Sequence, residues 1–180
     1  MDKRLEDIFL YEIIFQCKTI LSTFEMLSKS LDEDIWNNNL IWGLLSLILT
    51  STSNISKIFW PSDQSGKSCL ERGEYLRNLL QINDDSVIYN RDLRNNFEHF
   101  DERLHRWYKN SKTKNFSYRN INITIRNDGS DDYMDMGNYD SRTNTVTFWN
   151  IIYELDPIKM AITDLLYTTG KKCNERVSKS

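Results

Sequence analysis

Apolar residues recur along the first half of the chain at helical spacing. Ile8, Tyr11, Phe15, Ile20, Phe24 and Leu27 stand three to five residues apart, which predicts a helix over 4–29 with one buried face. A second run over 33–59 passes through Trp36, Leu40, Leu44 and Leu47 and stops at Trp60-Pro61, with Asp32, Glu33 and Asp34 placed to favour its N-terminus. Its middle is apolar nearly all round, as befits a central helix. Ser62 to Ser65 reads as a loop, and 67–81 as a shorter helix with Leu70, Leu76 and Leu80 inward. Asn83-Asp84-Asp85-Ser86 reads as a turn and N-cap that opens a helix from 86 to about 110.

The pattern then changes to alternation. Tyr118, Ile121, Ile123 and Ile125, and later Thr143, Thr145, Val146, Thr147 and Phe148, predict two strands of a β-hairpin joined by a long segment rich in Asp and Gly. Asp156-Pro157 restarts a helix through Met160, Ile162, Leu165 and Leu166. The predicted fold is mainly α: a single domain over 1–180, a bundle of about five helices, with one β-hairpin (116–150) inserted before the C-terminal helix.

Composition agrees. The 180 residues suffice for one domain with a real core, five Trp, eight Phe and nine Tyr supply bulk to bury, and six Gly with two Pro leave few obligatory breaks. A formal charge of −3 excludes a surface coated in positive charge, so any nucleic-acid site must be local. The most apolar run, Leu40 to Leu49, is about half of the roughly 20 residues a membrane span needs, and no signal peptide is evident after Met1. Cys17, Cys69 and Cys173 are odd in number and far apart, which fits reduced thiols in a cytoplasmic protein.

The stretch that bears on chemistry runs from Arg91 to Trp107. Leu93, Phe97, Phe100, Leu104 and Trp107 step by four, three, four and three, a narrow apolar stripe expected in the core. Arg91, Arg94, Asn95, Glu98, His99, Glu102, Arg103 and Arg106 lie off it. Such a face is satisfied by solvent and by helical pairs, Arg94 with Glu98 and Glu102 with Arg106, each worth a few tenths of a kcal/mol.

Arg94-Asn95-Asn96-Phe97-Glu98-His99 also resembles the signature of the HEPN superfamily: an Arg, a polar residue after it, and a His four to six residues later, on a late helix of a small bundle. The resemblance covers six positions, and the expected bundle agrees with that family's fold. It implies a metal-independent endoribonuclease acting on single-stranded RNA, in the manner of a toxin or phage-defence effector, with Arg94 and His99 as the catalytic pair and Asn95 as supporting polar residue. It implies no cofactor. Members that only bind RNA or protein are the alternative it allows. In the toxin branch paired with a nucleotidyltransferase antitoxin, the pattern continues to a modified Tyr; that position is Asp101 here, so the resemblance does not extend to that control.

The pair makes chemical sense. Metal-free RNA cleavage needs a group of near-neutral pKa to move a proton and a fixed cation to meet charge on the phosphate. On one straight helix, however, five residues turn about 500°, leaving Arg94 and His99 about 140° apart. A two-fold dimer, typical of the family, would bring the Arg of one copy to the His of the other.

A basic, aromatic segment follows. From Arg103 to Asn127 there are seven Lys or Arg and no acid, with Trp107, Tyr108, Phe116 and Tyr118 interleaved. Cations for phosphates and flat rings for unstacked bases make Arg103, Arg106, Lys109, Lys112, Lys114 and Arg119 candidate RNA contacts. The other expectation for this segment is a solvated hairpin whose rings pack inward. Glu98, His99 and Glu102 offer metal-ligating atoms, but His105, six residues after His99, lacks the i, i+4 spacing of a helical zinc pair and no other Cys or His stands near enough in sequence to suggest a shell; no phosphate-loop, dinucleotide or serine-hydrolase motif is present.

Overall fold

The computed structural model describes residues 1–89, 96, 99–123 and 133–177. Among them are five α-helices and two small sheets, the mainly α architecture that the patterning predicts. Helix α1 (Lys3–Leu31) begins where the Asp2 carboxylate accepts from the Arg4 and Leu5 amides, at 2.9 and 3.4 Å. Its buried face is Leu10, Ile13, Cys17, Ile20, Phe24 and Leu27, spaced 3-4-3-4-3. This corrects the expected face: Ile8, Tyr11 and Phe15 are each more than 60% exposed. The helix carries two apolar stripes, and the longer, regular one wins the core because it keeps one side of the helix toward its neighbours over the full length.

Helix α2 (Asn38–Phe59) is the central helix, capped by Asn37, whose side-chain oxygen accepts from the Leu40 amide at 3.1 Å. Asp32, Glu33 and Asp34 therefore lie in the loop before it, not in its first turn. Leu44 is buried, but Leu40 and Leu47 are part-exposed. Helix α1 packs on α2 and on the C-terminal helix, and α3 (Lys67–Leu80) touches both of the latter. Leu76 and Leu80 point inward as expected and Leu70 does not. Gly73 permits the close approach of α3 to the end of α2: a Cβ there would meet the Phe59 carbonyl oxygen at 2.5 Å and Pro61 Cδ at 2.7 Å.

Asn83 to Ser86 is a turn, with the Ser86 hydroxyl accepting from the Ile88 amide at 3.3 Å, but no helix opens at Ser86; the turn continues to Tyr89. Helix α4 spans Phe100–Asn110, and His99 precedes it in a non-helical conformation (φ −117°, ψ 33°). The single helix expected over 86–110 is thus broken at His99. The angular separation of Arg94 and His99 on one straight helix does not apply.

The strands also pair differently from the expected hairpin. Short parallel pairs join β1 (Phe116–Ser117) to β3 (Met134–Asp135) and β2 (Asn120–Ile121) to β4 (Asn138–Asp140). Antiparallel pairing then links β4 to β5 (Thr145–Phe148) and β5 to β6 (Ile151–Glu154). Two hairpins result, β4–β5 and β5–β6, and in the second Val146 stands opposite Tyr153 on the buried side. Its two-residue turn, Trp149-Asn150, has φ of 54° and 59°, the left-handed pair that a tight hairpin demands. Strand β6 runs directly into α5 (Leu155–Val177), which carries Pro157 in its first turn and buries Ile158, Ile162 and Leu165, while Met160 faces outward. Among the described residues no helix is long and apolar enough to cross a membrane.

Candidate nucleic-acid interface

Helix α4 is amphipathic, yet none of its residues is fully buried. Phe100, Leu104 and Trp107, expected in the core, are half-buried, because what lies over them is the short-stranded region after Asn115 and not another helix. The result is an open groove of about 720 Å³ walled by Phe100, Leu104, Trp107, Tyr108, Phe116 and Tyr118, with Asp101, His105 and Met136 completing its lining. Tyr108, Phe116 and Tyr118 are 60%, 55% and 48% exposed, so these three rings do not pack inward as a solvated hairpin would have them, while Trp107 is half-buried. The rings hold each other edge to face: Trp107 meets Tyr108 at 6.3 Å and Phe116 at 5.9 Å between centroids.

Two cations flank the rings. Lys114 Nζ lies 4.8 Å from the centre of the Tyr108 ring, and the Arg119 guanidinium 5.0 Å from that of Tyr118. Both residues adopt left-handed backbone, with φ of 54° and 52°. Lys114 is held there by its amide, which donates to the Ser111 hydroxyl at 2.8 Å. Non-glycine residues in that region are sparsely populated and persist where their surroundings enforce them.

The other expected contacts divide. Arg106 and Lys109 line an adjoining open hollow of about 650 Å³ together with Glu102 and with Asp101 and His105, which the groove shares, so two acids offset their charge. Arg103 and Lys112 border neither space. Of the catalytic candidates, Arg94 and Asn95 lie outside the described residues. His99 is exposed at the start of α4, its Nδ1 3.5 Å from Glu102 Oε2 and its backbone oxygen accepting from the Arg103 amide at 2.9 Å. It directly precedes Phe100, the first residue of the groove.

Sequence reasoning missed Asn96 within the same stretch. Asn96 is fully buried; its Nδ2 donates to the Tyr153 hydroxyl of β6 at 2.8 Å, and its Oδ1 has no partner among the described residues. The signal was available, since Asn96 stands three residues after Leu93 and four before Phe100 and so falls on the apolar stripe. Trp42, Ser46, Met136 and Phe148 also reach this region, from elements that periodicity does not connect to α4. Among the described residues no group of three or more His, Cys, Asp or Glu is arranged to hold a metal ion. No family model, curated protein or solved structure matches this chain.

Proposed function

We propose that this chain is a HEPN-like endoribonuclease that holds single-stranded RNA in the α4 groove and cuts it without a metal ion, as a two-fold dimer. What carries the reading is the groove beside His99: a row of accessible rings with cations over Tyr108 and Tyr118, neither cation having an acidic partner among the described residues. Rings that accept bases of any sequence and cations that track phosphates are the usual means of gripping an unpaired strand. In the proposed step His99 takes the proton of a 2′-hydroxyl, the 2′-oxygen bonds to the adjacent phosphorus, and the P–O5′ bond breaks with a proton going to the leaving oxygen. Arg94 of the second copy meets the charge on the phosphate. Such an activity would suit a toxin or phage-defence effector, with an antitoxin or another protein as partner.

The second reading is a non-catalytic HEPN-like module that binds RNA or protein through the same groove. The surroundings of His99 favour it, because the charged group paired with that imidazole among the described residues is the acid Glu102, not a cation. Incubating the protein with single-stranded RNA in EDTA separates the two. The enzyme is expected to leave 2′,3′-cyclic phosphate ends and to spare DNA, and His99→Ala and Arg94→Ala are each expected to abolish cleavage at unchanged helical content. Cleavage that persists in both variants, or that stops on chelation, would remove this mechanism.

A further inference from the structure

Beside the groove, and sharing Phe100 and Tyr118 with it, is a smaller and more enclosed cavity of about 160 Å³. Trp42, Ser46 and Leu49 of α2, Arg119 and Phe148 supply the rest of its wall. At roughly 30 Å³ per water, that is space for about five waters, the bulk of one flat heteroaromatic ring system and no more. Three features define what fits. The Phe100 and Phe148 rings lie within 9° of parallel with centroids 6.4 Å apart, so the wall presents one preferred stacking plane. Arg119 stands at the wall with no acidic partner among the described residues, its guanidinium 5.0 Å from the centre of the Tyr118 ring. The Ser46 hydroxyl, half-buried, makes no hydrogen bond among the described residues and is free to meet a polar ring edge.

An aliphatic ligand would leave the guanidinium and hydroxyl unused, and a bare anion would leave the rings unused. A planar, polar-edged ring that carries a phosphate uses all three. We infer that the inner cavity takes a single nucleotide of the bound strand, its base stacked in the plane of Phe100 and Phe148 and its phosphate on Arg119, while neighbouring nucleotides stay in the open groove. This rests on the RNA reading given above and adds that one nucleotide is unstacked and enclosed.

The test uses a short 2′-O-methyl oligouridine, which cannot be cut by the 2′-oxygen route, carrying one 2-aminopurine whose fluorescence falls on stacking. Binding is expected to quench it. Ser46→Phe, which fills the cavity, and Phe148→Leu, which removes a ring at near-constant volume, are each expected to weaken binding by roughly tenfold and to relieve the quench, the loss of one stacked base. Arg119→Glu is expected to weaken binding without restoring fluorescence of the fraction bound. Lys67→Gln, on α3, serves as control. Circular dichroism of Ser46→Phe checks its fold, and Phe148→Leu carries the test if that variant unfolds. Tight binding that neither Ser46→Phe nor Phe148→Leu weakens would overturn the cavity assignment while leaving the RNA reading intact. Quenching of 2-aminopurine riboside monophosphate, relieved by the same variants, with no oligonucleotide binding would keep the cavity as a nucleotide site and remove the RNA reading. Failure of both probes to bind overturns both.

Discussion

Asp135 shows how one residue changes meaning between sequence and structure. Among several acids between the expected strands it reads as a solubilising loop residue, yet it is buried: its carboxylate accepts from the Ser117 hydroxyl at 2.7 Å and the Gly137 amide at 3.1 Å. Its backbone amide donates to the Asn150 side-chain oxygen at 2.7 Å, and the Asn150 amide returns to its carbonyl, so one residue ties β3 to the β5–β6 turn. Burial raises its pKa above the ordinary carboxylate range, and the two hydrogen bonds only partly oppose this. A raised pKa means that the folded state holds the proton more tightly than the unfolded one. The stabilisation is fully present below about pH 4 and is lost as pH rises through the folded pKa. Asp135→Asn keeps an acceptor for Ser117 and Gly137 and removes the buried charge. Its stability relative to the parent chain is therefore expected to improve between pH 4 and pH 7 in urea titrations. A difference that does not vary with pH would show that ionisation of Asp135 carries no weight. By contrast the Cys17 thiol, pushed up to about 12 by burial, is inert at either pH.

At the scale of elements, helices were legible where one apolar stripe dominates and obscure where two compete. The bounds of α1 and the end of α2 follow from spacing and caps; the start of α2 does not, since Asn37 and not the acids at 32–34 caps it, and nor does the inward side of α1, because Ile8, Tyr11 and Phe15 also satisfy helical spacing and only packing decides. The β5–β6 turn was hidden because its left-handed positions are filled by Trp149 and Asn150 and not by an Asn-Gly pair. The same blindness covers Gly73, whose role is a close contact between α2 and α3. Gly73→Ala is expected to destabilise by about 1–3 kcal/mol by urea titration, since a carbonyl oxygen and a proline ring must move. The groove was half legible: its cations and rings stand in the sequence, while the division among them is a matter of placement. Lys114 and Arg119 flank rings, whereas Arg106 and Lys109 share a hollow with acids. Reversing Lys114 and Arg119 together is expected to lower the slope of log affinity against log salt by about 1.4 for single-stranded RNA, and reversing Arg106 and Lys109 by less. Equal slopes in the two double variants would remove the distinction between groove and hollow.

The whole molecule raises the question of where a second copy would sit. The outer stripe of α1 is one surface, with Ile8, Tyr11, Phe15 and Met26 all more than half exposed. The start of α4, where His99 stands, is the other, the surface that the proposed pairing of Arg94 from one copy with His99 of a second would need. Light scattering of the parent chain is expected to give about twice 21.4 kDa if the proposed dimer forms; in Phe15→Glu a fall to 21.4 kDa then places the contact on α1, and a mass that stays doubled places it elsewhere, as pairing at α4 requires. Complementation then tests the shared site. Arg94→Ala and His99→Ala proteins are each expected to be inactive alone. When they are mixed in equal amounts and allowed to exchange, half of the dimers would be mixed and each would hold one intact pair, so about a quarter of the parent activity is expected to return. Recovery requires that the two residues act across the interface, since within either chain one of them is always missing. No recovery in a mixture shown to have exchanged subunits, from two variants that each retain RNA binding, would confine the chemistry to one chain and remove the need for a dimer altogether.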